Sequence, residues 1–366
     1  VVSALAGITD LLMEMLSLAE SRKDNFKSNL SKIEKLHLEP IKKCIPIQNQ
    51  SAIISYLKKH LNELESRLDA IFLLEEVTKK NNASVASYGE ILSSNIIHEI
   101  FKHNKIDSEL KDARELIQTS THNGIEVVNE KITDQQIKNY FSNNKSRVVI
   151  VPGFIACNKS GVTTTLGRGG SDYSAAIIAN SVEADMFEIW TDVSGIYTAH
   201  PKIVTQAKPI KKLSYYEAME LSHFGAKVIY PPTLQPIIEK NIPIVVKNTF
   251  APHDLGTLID SSKISENPEI VKGISHIDNV ALINLEGSGM IGITGFSKRL
   301  FEALSDVHIN VIMITQASSE HSICIGVKEE DSAIAKKAID NKFDFEISLN
   351  KVAPAKIEKN MVNIAI

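Results

Sequence analysis

The residues best placed to do chemistry lie in one segment, Thr163-Thr164-Thr165-Leu166-Gly167-Arg168-Gly169-Gly170-Ser171-Asp172-Tyr173-Ser174, which runs into an apolar stretch at 175–182. Its glycines let the backbone bring N–H groups up to an anion, and a helix starting there puts its positive end at the same point. Ser171 falls at the expected N-cap and Asp172 in the first turn. Arg168, between glycines, presents a planar fork suited to a carboxylate or phosphate. An ordinary capped glycine loop has no use for the flanking threonines and the arginine, so the pattern reads as a small-anion site. Neither Gly-x-Gly-x-x-Gly nor a P-loop occurs, and His-Arg-Asp and Asp-Phe-Gly signatures are absent, which disfavours a dinucleotide fold, a P-loop enzyme and a protein kinase.

The elements that must hold this loop follow from hydrophobic periodicity. Leu11, Leu12, Met15 and Leu18 recur at helical spacing, as do Ile53, Tyr56, Leu57, Leu61 and Leu64, so the first 75 or so residues are helix-rich. Short apolar runs at 148–154, 186–190 and 244–246 read as buried strands separated by helices, with Trp190 a core residue of its strand. That alternation predicts an α/β fold, a mostly parallel sheet with helices on both faces. Ser214 and Glu217 make a capping box ahead of Ala218, Met219, Leu221 and Phe224, and Gly225 supplies the stop. The chain turns polar at 261–267, the candidate linker. Beyond it a strand at 280–285, a helix through Phe296, Leu300 and Leu304, strands at 309–315 and 322–327, a helix at 331–339 and a strand near Glu346 give the ferredoxin-like order βαββαβ. The apolar run 362–366 reads as a further strand.

At 366 residues, 43% hydrophobic and 23% charged, the chain fits a multidomain globular protein. A formal net charge of -4 argues against nucleic acid or an anionic membrane as a partner. No apolar run approaches the ~18 residues of a spanning helix, and there is no signal-peptide pattern, which predicts a cytoplasmic location. Cys44, Cys157 and Cys324 lie far apart among apolar neighbours and are expected to be buried free thiols. His98 and His103 are five apart, one too many for a zinc helix, and are expected on a helix surface.

Several motifs together make the chain resemble the aspartokinases of the amino-acid kinase family over nearly its whole length. They are Val2-Ser3-Ala4 with Gly7-Ile8-Thr9-Asp10, Ser87-Tyr88-Gly89-Glu90, Pro152-Gly153-Phe154, the loop Leu166 to Asp172, Thr191-Asp192-Val193-Ser194-Gly195-Ile196-Tyr197, and Phe224-Gly225-Ala226-Lys227. The run Glu217 to Lys227, Lys247-Asn248-Thr249 and Ile314 to Glu320 are most similar to the aspartokinase part of bifunctional aspartokinase/homoserine dehydrogenases.

The resemblance implies transfer of phosphoryl from ATP, with Mg²⁺, to the side-chain carboxylate of L-aspartate. It puts Arg168 on the α-carboxylate, Glu90 on the α-ammonium, and Ser3, Thr9, Phe154, Gly169 and Ser171 around the pocket. Asp172 becomes the organiser of lysines and metal at the transferring phosphoryl. Thr191, Asp192, Tyr197 and Lys227 hold ATP, and Lys202 supplies a phosphate cation where the family has arginine, His200-Pro201-Lys202 standing for Asp-Pro-Arg. The family opens with a strand and a Lys-Phe-Gly-Gly-Thr-Ser loop, which the resemblance implies upstream of Val1. The implied domains are a kinase domain at 1–260, a linker at 261–272, an ACT regulatory unit at 273–350 and the start of a second ACT unit at 351–366. An amino-acid effector, threonine, is expected at Met290, Asn310 and Gln316 together with the amides of 287–290, and a homo-oligomer through the ACT units. Two other readings share these features: a non-catalytic effector-binding protein, and a kinase of another small acid such as glutamate. Glu90 after Ser-x-Gly and the Leu166 to Asp172 loop favour aspartate.

Overall fold

The computed structural model describes residues 1–122, 125–223, 229–261, 271–290, 294–316 and 321–366. Contacts divide the chain into two compact units. The first is Val1–Ile196, Pro209–Met219 and Lys227–Glu266; the second is Tyr197–Lys208, Glu220–Ala226 and Asn267–Ile366. Among the described residues no helix is long and apolar enough to cross a membrane.

The first unit opens with helices α1 (Ile8–Glu20), α2 (Phe26–Cys44), α3 (Ser51–Leu74), α4 (Lys79–Ala86) and α5 (Tyr88–His103). Helical periodicity puts Ile8, Leu12, Met15, Leu16 and Ala19 on one face of α1 and Ile53, Leu57, Leu61, Leu64 and Leu68 on one face of α3, and these pack with Phe26, Ile33 and Ile41 of α2 into one core. Strands β1 (Ser108–Leu110), β2 (Gln118–His122) and β3 (Ile125–Val128), helix α6 (Glu130–Asn143), and strands β4 (Val148–Ile150), β5 (Ile155–Asn158) and β6 (Thr163–Thr165) follow, leading into α7 (Gly170–Ser181). β1 pairs parallel with β4, and β3-β2-β5-β6 forms a mixed sheet. Val2 bridges Pro152 in parallel.

The remainder of this unit is β7 (Phe187–Thr191), β8 (Lys212–Ser214), the first residues of α8 (Tyr215–His223), α9 (Pro231–Glu239), β9 (Ile244–Asn248) and β10 (Thr257–Asp260). Their sheet runs β7-β9-β10-β8, parallel except between β9 and β10. The capping box forms as the sequence predicts: the Ser214 amide donates to Glu217 Oε2 at 2.8 Å and the Glu217 amide donates to Ser214 Oγ at 3.2 Å. Gly225 lies outside the described residues.

Strand alternation on β7 corrects one expectation. Phe187 and Ile189 face the core, so Trp190 is turned outward with 46% exposure, its indole N–H donating to Glu188 Oε2 at 3.0 Å. Cys44, on the last residue of α2, is likewise exposed; Cys157 and Cys324 are half-buried and all three thiols are free. His98 and His103 stand on α5 as expected, His98 Nδ1 within 3.3 Å of Ser108 Oγ and His103 Nδ1 within 3.4 Å of Asn49 Nδ2.

The second unit contains β11 (Ser275–Glu286), α10 (Phe296–Asp306), β12 (Met313–Gln316), β13 (Ser322–Lys328), α11 (Ser332–Lys342), α12 (Asp344–Ser348) and β14 (Lys356–Ala365). The sheet order β12-β13-β11-β14, antiparallel throughout, is that of a ferredoxin-like βαββαβ unit. Alternate residues Ala281, Ile283 and Leu285 of β11 and Ile323, Ile325 and Val327 of β13 form its core with Phe296, Leu300 and Leu304 of α10 and Ala335 and Ile339 of α11. The fourth strand is β14, not a strand near Glu346. Residues 344–348 are helical, and Arg299 ties that segment to α10: its guanidinium donates to Glu346 Oε2 at 3.0 Å and to the Lys342 carbonyl at 2.8 Å, against stacked Phe296 and Phe343. The unit therefore extends past 350, with 356–365 of the stretch expected to open a second unit paired along β11.

Candidate functional site

Helix α7 begins on a turn that only its glycines permit. Gly169 sits at φ 67°, and a Cβ there would lie 2.7 Å from Cβ of Tyr230. Gly169 is therefore the N-cap and no side chain caps the helix, so Ser171 is moved from the expected cap into the first turn. The Gly170 amide donates to the Gly167 carbonyl at 3.0 Å and the Tyr173 amide to that of Gly169 at 2.9 Å. The amides of Ser171 and Asp172 have no partner among the described residues and lie at the positive end of the helix.

The turn Pro152-Gly153-Phe154 packs on this helix start. A Cβ on Gly153 would come within 2.7 Å of Ser171 Cα, so the close approach demands glycine. Phe154 holds φ 63°, a conformation costing a bulky residue roughly 1–3 kcal/mol. Its backbone is pinned on both sides: the Phe154 amide donates to Ser174 Oγ at 2.9 Å and the Leu166 amide to the Phe154 carbonyl at 2.9 Å. Ser174 is fully buried, and nothing in the glycine pattern marks it as the residue that fixes the turn.

Contacts along the chain's first residues join this turn to helix α5. The Gly153 amide donates to the Val2 carbonyl at 2.8 Å, and Ser93 Oγ donates to the Ser3 carbonyl at 2.7 Å. Glu90, in the first turn of α5, accepts from the backbone of Ala4. Thr9 stands on the first turn of α1, whose Ile8 packs near Gly89. Ser3, Glu90, Phe154, Gly169, Ser171 and Asp172 thus come from elements packed in series around one helix N-terminus. Arg168, on the loop immediately before it, is exposed and has no hydrogen bond or ion pair among the described residues.

Two carboxylates here are left wanting a cation. Glu90 is 3% exposed and its Oε2 has no partner, and burial pushes its carboxyl up from its ordinary 4.5 to about 7 against the two backbone hydrogen bonds. Burial likewise raises the Asp172 carboxyl. A folded-state value above the unfolded one means that the folded chain keeps the Glu90 proton between pH 4.5 and 7 while the unfolded chain has lost it. This contribution to stability is complete below pH 4.5 and is lost as pH rises through 7. Thermal melts without ligand between pH 4 and 8 are expected to show it in the wild type and not in Glu90→Gln; parallel curves would reject the assignment. A cationic ligand group on Oε2 reverses the preference, so its affinity should rise with pH across the same interval.

The other predicted residues are dispersed. Thr191 ends β7 in the first unit and Asp192 follows it, Thr191 Oγ1 donating to Asp192 Oδ1 at 3.2 Å. Tyr197 and Lys202 belong to the second unit, where the Lys202 amide donates to His200 Nδ1 at 3.3 Å. Lys227 lies outside the described residues. In the ferredoxin-like unit Asn310, ahead of β12, and Gln316, the last residue of that strand, are exposed. Met290, however, is 3% exposed and part of the core, so its side chain is unavailable to an effector. The amides of Gly287, Gly289 and Met290 already donate to the carbonyls of His321, Lys351 and Gly287, which removes most of the expected donor set.

Comparison with known proteins gives the class. The chain belongs to the amino acid kinase family, whose sequence profile matches residues 1–248, and an ACT domain profile matches residues 283–343. Within that family it belongs with the aspartokinases. It is 32% identical over 335 residues to the lysine-sensitive aspartokinase 3 of Escherichia coli, covering 89% of this chain and 70% of that one. It is 34% identical over 365 residues to the chloroplastic bifunctional aspartokinase/homoserine dehydrogenase 1 of Arabidopsis thaliana, covering 98% of this chain but 40% of that protein. The chain thus spans less than half the length of such bifunctional relatives. The crystal structure of E. coli aspartokinase III with aspartate and ADP, its R-state, superposes over the whole of this chain and 79% of that one, with a TM-score of 0.81 at 27% identity. The T-state of the same enzyme, with lysine and aspartate, gives 0.77.

Proposed function

We propose that the intact protein phosphorylates the side-chain carboxylate of L-aspartate with ATP, and that it forms the kinase part of a bifunctional enzyme with homoserine dehydrogenase. The observation that carries this is Glu90, a buried carboxylate with a free oxygen, held next to the strand and turn that lead to Arg168 and the α7 N-terminus. An α-amino acid supplies what both lack, an ammonium for Glu90 and a carboxylate for the Arg168 fork. The acceptor carboxylate, with an ordinary pKa near ~3.9, is ionised at neutral pH, so no general base is required. The task left to the protein is orientation and neutralisation of charge between two anions. The open amides of Ser171 and Asp172 serve the second, while Ser3, Thr9, Phe154 and Gly169 shape the pocket.

Thr191 and Asp192, with Tyr197, Lys202 and Lys227, are assigned to ATP. Among the described residues no group of three or more His, Cys, Asp or Glu side chains could hold a metal ion. One carboxylate suits Mg²⁺ nonetheless, since that ion takes one or two protein carboxylates together with substrate phosphates. Asp172, desolvated and unpaired, is the fitting donor. Bound Mg²⁺ would neutralise charge on the phosphates.

The ACT unit is assigned to an amino-acid effector, threonine, reached through Asn310 and Gln316, and to self-association. A cytoplasmic location is the corresponding proposal for the whole protein. The activity is tested by trapping the acyl phosphate with hydroxylamine. The full-length enzyme should give hydroxamate with aspartate, none with glutamate, and less when threonine is added. Turnover of glutamate would point to the other acid kinase, and no product with any acceptor to an effector-binding protein.

A further inference from the structure

The segment after β7 is tied at its start to the turn between β9 and β10 and at its end to the first residue of β10. At its start the Thr249 amide donates to the Thr191 carbonyl at 2.8 Å, next to the register pair Thr191–Asn248. Ser194, 9% exposed, donates through Oγ to Asp254 Oδ2 at 2.6 Å and accepts from Asn248 Nδ2 at 3.0 Å. At its end the Ile196 amide donates to Oγ1 of the fully buried Thr257 at 2.9 Å, and that hydroxyl donates to the Ile210 carbonyl at 2.6 Å. The turn is itself fixed: the Phe250 amide donates to Asn248 Oδ1 at 2.9 Å and the Asp254 amide to the Ala251 carbonyl at 3.0 Å. Between the anchors at Thr191 and Ser194 stand Asp192 and Val193, and among the described residues the one polar contact of the Asp192 carboxylate is with the neighbouring Thr191 hydroxyl. Asp192 owes its place to the tethers on either side.

We propose that Asn248 and Asp254 are positioning residues for the nucleotide loop, acting on Asp192 through Ser194; this rests on the assignment of Thr191 and Asp192 to ATP. Asp254 is an exposed side chain on a surface turn, so its removal should leave the core intact. Its carboxylate accepts a charge-assisted hydrogen bond, among the stronger kinds. Asparagine at 254 keeps an oxygen able to accept from the Ser194 hydroxyl, whereas alanine does not.

Steady-state kinetics on the full-length enzyme test this with Asp254→Ala, Asn248→Ala, Asp254→Asn and, as reference, Asp192→Ala. Asp254→Ala and Asn248→Ala are expected to raise KM for ATP about tenfold. KM for aspartate and the thermal midpoint should stay near wild type, and Asp254→Asn should restore KM for ATP to within about twofold. If Asp192→Ala raises KM for ATP and Asp254→Ala does not, the tether is refuted and the nucleotide assignment stands. If both substrates' KM values rise together with a lower melting temperature, the network is structural only and the proposal fails. If Asp192→Ala leaves ATP untouched, the nucleotide assignment falls and the proposal with it.

Discussion

Arg168→Ala is expected to remove nearly all use of aspartate by the intact enzyme. The guanidinium is exposed and unpaired among the described residues, so its loss disturbs no internal contact. In the proposed pocket it would leave the substrate α-carboxylate without a partner where bound substrate displaces water, a loss of ~2 to 5 kcal/mol by analogy with broken desolvated charge pairs. That is about thirtyfold or more in kcat/KM, carried mainly by KM. Arg168→Lys should recover part of it, since an ammonium keeps the charge but not the fork. Steady-state kinetics in aspartate decide the matter; an alanine variant within about threefold of wild type would remove Arg168 from the pocket.

Asp172→Asn is expected to act on the other parameter. Its carboxylate sits in the first turn of α7, raised by burial and paired with no cation among the described residues. Neutralising it removes the group assigned to metal and lysine organisation, where a single electrostatic contributor is worth about a hundredfold or more in kcat. KM for aspartate should change little. Because the pKa is raised, the ionised form is disfavoured in the fold, so the variant should be as stable as wild type or more so at neutral pH. A variant that is less stable and keeps its turnover would make Asp172 a structural residue.

What the sequence disclosed, and what it hid, follows from how far apart the interacting residues lie. Helices α1 and α3, the capping box at Ser214 and the alternating strands of the ferredoxin-like unit are written in local periodicity and were readable from it. The glycine loop was readable as an anion site, but its cap was not: Ser171 looks like an N-cap until Gly153 is found packed against its Cα. Trp190 was misplaced because an apolar run does not say which of its residues face outward. Met290 reads as a ligand from its place in a turn, but a turn residue can be core, which only the packing of α10 and β13 reveals. The segment near Glu346 is helical, and the residue that ties it to α10, Arg299, lies some forty residues earlier. Ser174 and Asp254 gave no local signal at all. Their only possible mark was a hydroxyl or carboxylate where a turn must be fixed, a pattern too common to choose between.

In the proposed site one pocket recognises an α-amino acid through Glu90 and Arg168. Calorimetric titration of the full-length enzyme at pH 8 with L-aspartate and with succinate tests it most directly, because succinate keeps both carboxylates and lacks the ammonium. Above pH 7 Glu90 is ionised and its Oε2 is unpartnered, so succinate should leave a buried charge uncompensated and bind roughly ten- to a hundredfold more weakly than aspartate. The gap should narrow at pH 6, where Glu90 carries a proton. Equal affinity for the two diacids at pH 8 would mean that Glu90 does not meet the substrate ammonium.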